Sequence, residues 1–185
     1  KSDGSLRYGF MKNKIALAKS YAKIKGVDGI HFDYVRFGGT AHLYNKSVDA
    51  VNYFVKKACS EIRSVNPNCI ISAAIMPEPN AMHDYYGQDV PTMSKYLDVL
   101  LPMVYKGNYG KDTAWIGKVT QKFVSQSKGA QIWTGLQSYR SDDNPTRLSQ
   151  SELIKDSKAA IKAGAKGIIL FRIGISCNFN FNKVH

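Results

Sequence analysis

Apolar residues along this chain alternate between two arrangements, a helical stripe and a short unbroken run, and the exchange repeats five times. Met11, Ile15, Ala18 and Ala22 fall at helical intervals, so the spacing predicts a helix over 11–25 with Gly26 as its C′ stop. Gly29-Ile30-His31-Phe32-Asp33-Tyr34-Val35 then reads as a short buried strand. The clearest helix follows over 47–65. Its Val48, Val51, Val55, Ala58, Ile62 and Val65 recur at intervals of three and four, and Asn66-Pro67 ends it. A second buried strand is predicted over 69–76, and a short helix over about 91–96 leads into a third strand at 98–104. Ile116, Val119 and Phe123 place a helix over 113–125, and Ile132-Trp133-Thr134-Gly135-Leu136 a fourth strand. Ser149 and Glu152 form an S-x-x-E capping box ahead of Leu153, Ala160 and Ile161. Ala163-Gly164-Ala165 closes that helix, and Gly167-Ile168-Ile169-Leu170-Phe171 is the fifth strand.

Strands apolar on both faces and separated by helices predict a parallel sheet covered by helices. The strand starts lie 29 to 40 residues apart, the length of a βα unit. Polar residues gather after the strands' C-terminal ends, at Asp33, Glu78, Tyr105, Gln137 and Arg172, where βα folds place their chemistry. A closed (β/α)8 barrel needs eight strands and roughly 250 residues. The expectation is therefore one domain over 1–185, the C-terminal portion of such a barrel, opening on a helix and lacking its first three βα units. An N-terminal segment or a second chain would complete it.

Composition adds little to the fold but bears on partners. With 44% apolar and 22% charged residues the chain is ordinary globular protein, and its longest apolar runs are strand-sized, too short to span a membrane. The start at Lys1-Ser2-Asp3-Gly4 has no apolar signal region, as a processed or truncated start also would not. The net charge of +12 admits attraction to a polyanion, but the lysines are dispersed between apolar helix positions, the pattern of a solvated exterior. Nucleic-acid binding is accordingly not expected. Cys59, Cys69 and Cys177 have unrelated spacings and form no disulfide framework or zinc knuckle; Cys59 and Cys69 read as core thiols, with a bridge between them left open. Asn45-Lys46-Ser47 is a possible glycosylation sequon. No phosphate loop, G-x-S-x-G elbow or clustered His/Cys pattern is present, so neither a metal nor a cofactor is expected.

The segment Gly26-Val27-Asp28-Gly29-Ile30-His31-Phe32-Asp33-Tyr34-Val35-Arg36-Phe37 resembles the fourth-strand motif, G-x-D-G-I-x-F-D-Y-x-R-F, of a family of glycoside-hydrolase-like barrels. Tyr86-Gly87-Gln88-Asp89 and the run from Tyr96 to Tyr105 extend the resemblance, which covers about residues 20–175. Gly38-Gly39 stands where that family usually has proline. The family is distantly similar to the α-amylase clan, whose nucleophile is an aspartate ending strand four. It also has similar chains in cell-surface proteins of methanogenic archaea. The resemblance thus implies a glycosidase fold, Asp33 as catalytic carboxylate, a glycan substrate, and an extracellular or cell-surface location.

Glycosidic cleavage needs two carboxyls flanking one bond, one protonated as acid and one ionised as nucleophile or base. Asp33 is placed for the second role, or else pairs with Arg36 to hold the loop. Glu78 follows the next strand between Pro77 and Pro79, which stiffen its loop, and is the candidate acid; Asp84 and Asp89 rival it. His31 shares a strand face with Asp33. Arg36 and Arg172 suit an anionic substituent or a structural ion pair. Tyr34, Tyr85, Tyr86, Tyr105, Tyr109 and Tyr139 in the predicted loops offer flat faces for sugar rings, Tyr105 foremost, and Asp89 and Gln137 are further candidate substrate contacts. The sequence therefore points to a hydrolase of a cell-wall or surface polysaccharide, or alternatively to a non-catalytic glycan-binding module of a larger surface protein.

Overall fold

A computed structural model describes residues 8–172, 174–175 and 178–184. The chain alternates helix and strand from end to end: α1 (Tyr8–Ala22), β1 (Gly29–Phe32), α2 (Ser47–Arg63), β2 (Ile70–Ile75), α3 (Val90–Met93), β3 (Val99–Val104), α4 (Thr113–Gln126), β4 (Gln131–Gln137), α5 (Gln150–Lys162) and β5 (Gly167–Phe171). The strand order is β1-β2-β3-β4-β5, with β1–β2 and β4–β5 parallel. Consecutive parallel strands joined through helices are the build of a TIM barrel, of which the described residues carry five strands. The chain divides into two compact units, one of residues 1–100 with 127–130 and the other of residues 101–126 with 131–185.

In the N-terminal unit α2 supplies the main apolar face. Val51, Val55, Ala58, Cys59 and Ile62 are buried on it, and Phe54 meets Phe32 of β1 edge-on at 5.5 Å. Burying such side chains stabilises by about 1.5–3 kcal/mol each. Helix α1 packs Ile15, Ala18 and Ala22 inward. It is tied to α2 by Lys19, whose Nζ donates to Glu61 Oε2 at 2.7 Å, while Lys57 reaches the other Glu61 oxygen at 2.9 Å. Cys59 and Cys69 are free, buried thiols, which settles the bridge left open by the sequence; burial pushes Cys59 up to about 11. Cys177 lies outside the described residues.

In the C-terminal unit Phe123 of α4, Leu136 of β4 and Leu153 of α5 are fully buried. The capping box at α5 forms as expected: Ser149 Oγ accepts the Glu152 N–H at 3.3 Å, and Glu152 Oε2 accepts the Ser149 N–H at 3.0 Å. A buried Asp156 on α5 accepts from Lys106 Nζ at 2.9 Å and Thr113 Oγ1 at 2.7 Å, fastening the segment after β3 and the start of α4 to α5.

Two differences from the expected elements matter for the site. β1 ends at Phe32 rather than Val35, because Tyr34 turns to φ +59, a left-handed conformation that no strand continues through. The loop after β2 is not featureless but carries a π-turn over Met82–Tyr86, closed by Gly87 at φ +66.

Candidate functional site

The C-terminal ends of β1 and β2 bring together a connected set of side chains in the N-terminal unit. Asp33 is the first residue past β1 and is exposed. Its Oδ1 accepts the Tyr34 N–H at 2.7 Å, which fixes the carboxylate on the sharp turn that Tyr34 makes. A tyrosine at positive φ costs on the order of 1–3 kcal/mol, so the surrounding contacts must hold it. They are visible: the Arg36 N–H donates to Tyr34 O at 2.9 Å, and the Arg36 guanidinium lies 4.0 Å from the centre of the Tyr34 ring. The same guanidinium is 5.9 Å from the Tyr86 ring, and Tyr86 in turn donates its hydroxyl to Glu78 Oε1 at 3.0 Å. Asp33 and Glu78 are thus linked through Tyr34, Arg36 and Tyr86. Burial, with the Glu78 carboxylate second, pushes the Tyr86 phenol up to about 12.

The segment Tyr86-Gly87-Gln88-Asp89 builds the other side of this arrangement. Gly87 has no room for a side chain, since a Cβ would stand 3.0 Å from Ser47 O and 3.1 Å from the Phe37 ring. Its tight passage delivers Gln88 into the interior, fully buried. There Gln88 Nε2 donates to Val35 O at 3.1 Å and Ala74 O at 3.3 Å, and Oε1 accepts the Met76 N–H at 3.0 Å. One side chain clamps the loop after β1 to the end of β2. The Phe37 N–H donates to Tyr86 O at 2.9 Å and adds a second tie. Asp89 precedes α3 and lies 3.5 Å from His83 Nε2, while Asp84 is exposed on the π-turn. His31 Nδ1 sits 2.9 Å from Ser72 Oγ of the neighbouring strand. Burial holds the His31 imidazole below its ordinary value, against the opposing charge of Asp33.

The C-terminal unit carries an aromatic cluster of its own. Tyr105, just past β3, stacks on Phe171 at the end of β5, with ring centres 5.2 Å apart and planes 14° from parallel. Phe171 is 40% exposed, whereas Tyr139 behind it is buried, its ring centre 6.4 Å away and its hydroxyl donating to Asp142 at 2.6 Å. The exposed Arg172 places its guanidinium 5.9 Å from the Tyr139 ring. Gln137 is buried and exchanges hydrogen bonds with Asn108, Nε2 to Oδ1 at 2.8 Å and Asn108 N–H to Oε1 at 3.3 Å. Gly107 makes that contact possible, because a Cβ there would collide with the Arg140 carbonyl.

The sequence-predicted residues therefore fall into two groups. His31, Asp33, Tyr34, Arg36, Glu78 and Asp89 belong to the N-terminal unit, and Tyr105, Gln137, Tyr139 and Arg172 to the C-terminal unit. One contributor was not singled out from the sequence: Phe171 ends a strand, which is itself a signal in a βα fold. Tyr86 was expected as a face for sugar rings, and its hydroxyl's bond to Glu78 is what the sequence did not reveal. Among the described residues no group of three His, Cys, Asp or Glu side chains is placed to hold a metal ion, and no helix is long and apolar enough to cross a membrane.

Known structures share this fold. A chitinase from Trichuris suis superimposes with a TM-score of 0.55 at 16% identity, over 75% of this chain and 42% of that one. A GH53 catalytic domain from Ignisphaera aggregans does so at 0.53 and 13% identity, over 84% and 53%. Catalytic domain 2 of an Ostrinia furnacalis Group II chitinase gives 0.53 at 14%, over 70% and 39%. This chain thus spans only 39–53% of the length of these three structures. No curated protein sequence matches it significantly. The model of one protein family, described as "Putative glycosyl hydrolase domain", matches residues 8–163, and the chain belongs to that family.

Proposed function

We propose that this chain carries the catalytic carboxylates of a glycoside hydrolase, with Asp33 as nucleophile or base and Glu78 as its acid partner. The observation that carries the reading is the Asp33–Tyr34 turn. An exposed carboxylate stands at the C-terminal end of a barrel strand, pinned by the N–H of a tyrosine in an unfavourable backbone conformation. Strain of that kind persists where the surroundings enforce it, and it gathers at sites where a side chain must be aimed. In the reaction the ionised Asp33 either attacks the anomeric carbon or takes a proton from the water that does. The second carboxyl protonates the departing glycosidic oxygen. Arg36, between the Tyr34 and Tyr86 rings, acts as a positioning residue for both carboxylates. His31, with its imidazole held toward the neutral form, is a hydrogen-bonding group on the same strand.

The substrate is read as a polysaccharide, and the net charge of +12 favours one with anionic or amino-sugar units. Replacing Asp33 with Asn tests the assignment. Release of reducing ends from a panel of neutral, amino and uronic polysaccharides is expected to fall by roughly 10²–10⁴-fold. Unchanged release would remove Asp33 from the mechanism.

A second reading has its own observation. The stacked Tyr105 and exposed Phe171, with Arg172 beside them, form an aromatic surface complete within one unit and needing no carboxyl pair. Flat aromatic faces bind the C–H faces of sugar rings, so this surface suits a glycan-binding module. Glycan binding lost in Phe171→Ala, with no product released by the parent protein, would favour that reading over hydrolysis.

A further inference from the structure

Strand β2 is apolar at every position but one. Of Ile70-Ile71-Ser72-Ala73-Ala74-Ile75, only Ser72 carries a polar side chain. A hydroxyl set into such a strand is costly to leave without a partner. Its partner is His31, which stands opposite Ser72 in the register of the β1–β2 pair, with Nδ1 and Oγ 2.9 Å apart. Phe32 meets Phe54 of α2, so the alternation of the strand turns His31 to the opposite face, the one on which Asp33 follows two residues later. Ala74, next on the Ser72 face of β2, has no group that could reach the ring. Among the described residues Ser72 has no other side-chain partner, and the second ring nitrogen of His31, Nε2, has no hydrogen bond at all. One nitrogen is held by the neighbouring strand and the other is open beside the candidate carboxylate.

Two proton arrangements are compatible with that contact. Either Nδ1–H donates to Oγ and Nε2 is bare, or the Ser72 hydroxyl donates to Nδ1 and Nε2 carries the hydrogen. The charge of Asp33 selects the second. A bare Nε2 turns a lone pair, the negative end of the ring dipole, outward beside an anion, whereas Nε2–H turns out the positive end. Burial holds the ring toward its neutral form, against the opposing charge of Asp33, so the two nitrogens share a single hydrogen. We infer that Ser72 is a positioning residue: its hydroxyl donates to Nδ1, fixes the Nε2–H tautomer of His31, and so presents an N–H donor beside Asp33 to an oxygen of the sugar unit on which Asp33 acts. The sugar contact rests on the reading of Asp33 as the catalytic carboxylate; the tautomer requires only that Asp33 is ionised.

Ring nitrogen-15 spectra of the native protein, recorded above the titration of His31, show which nitrogen bears the hydrogen. Nε2–H is expected, and Nδ1–H overturns the proposal. Ser72→Ala removes a donor that favours the neutral ring, so His31 should titrate at higher pH in that variant. Ser72→Thr keeps the hydroxyl and should restore the parent titration. A titration unmoved by Ser72→Ala also overturns the assignment. In reducing-end assays Ser72→Ala should lower kcat about 5-fold, as the loss of one hydrogen bond gives, with KM nearly unchanged. A parent-like kcat denies Ser72 its positioning role. Adding the polysaccharide to the Asp33→Asn variant should shift the Nε2 resonance, and bound polymer that leaves it in place removes the sugar contact. A parent that releases no reducing ends from any polysaccharide removes the hydrolase reading and the sugar contact with it, while the ring spectra still decide the tautomer that Ser72 sets.

Discussion

At the scale of single residues, the turn after β1 joins sequence to chemistry most tightly. Asp33 could be read directly: an aspartate ending a buried strand is where a βα fold aims its reactive groups. What kept it from pairing with Arg36 could not be read, because the guanidinium lies on the Tyr34 ring and that stacking depends on Tyr34 adopting positive φ. No propensity assigns such a backbone to tyrosine. Arg36→Lys keeps the charge but loses the planar stack. Turnover is expected to fall at least about 10-fold through kcat, with KM nearly unchanged; a kcat equal to the parent's would deny Arg36 a positioning role. The bond from Tyr86 to Glu78 could not be read for a similar reason, since a π-turn with no sequence signature separates the two residues. With the Tyr86 phenol at about 12, against its ordinary value of 10, the folded state keeps a proton there that the unfolded state gives up. Stability should therefore fall as pH rises from 10 to 12. Tyr86→Phe should flatten that part of the stability profile, and an unchanged slope in urea titrations would assign it elsewhere.

At the scale of elements, patterning was sufficient wherever one helix face meets one core. The three-and-four repeat of α2, the capping box of α5 and the whole of β5 appear as the sequence predicts. α1 does not: it covers Tyr8–Ala22 rather than 11–25, ending at its last buried residue, Ala22, beyond which the Ile24 N–H donates to Tyr21 O and the Val27 N–H to Ile24 O in successive turns. Leu153 is fully buried on α5, so Leu153→Ala should destabilise by 2–5 kcal/mol, approximately. Ser149→Ala, which removes the cap of the same helix, should cost about 1 kcal/mol. Chemical denaturation distinguishes the two, and equal losses would mean that α5 contributes through its end rather than its face. The tie between α1 and α2 has a pH signature. Hydrogen bonds from Lys19 and Lys57, with their charges, hold Glu61 down at about 2. Its contribution is present above 4.5, the ordinary value, and is lost as pH falls toward 2. Glu61→Gln should weaken the acid sensitivity in that window, and a parent-like acid profile would show that the pair contributes nothing.

At the scale of the whole molecule, the five βα repeats were legible because strand and helix periodicities differ and alternate cleanly. The membership of the chain in a glycosyl hydrolase family agrees with the family-level resemblance read from the sequence, while the partner carboxyl depends on loop geometry that spacing alone does not encode. Whether Asp33 breaks glycosidic bonds is decided by reducing-end release from a polysaccharide panel, measured for the native protein and its Asp33→Asn variant side by side. Product is expected from the parent, roughly 10²–10⁴-fold less from the variant, and the same Tm and glycan affinity for both. Equal rates in the two proteins would contradict a catalytic Asp33.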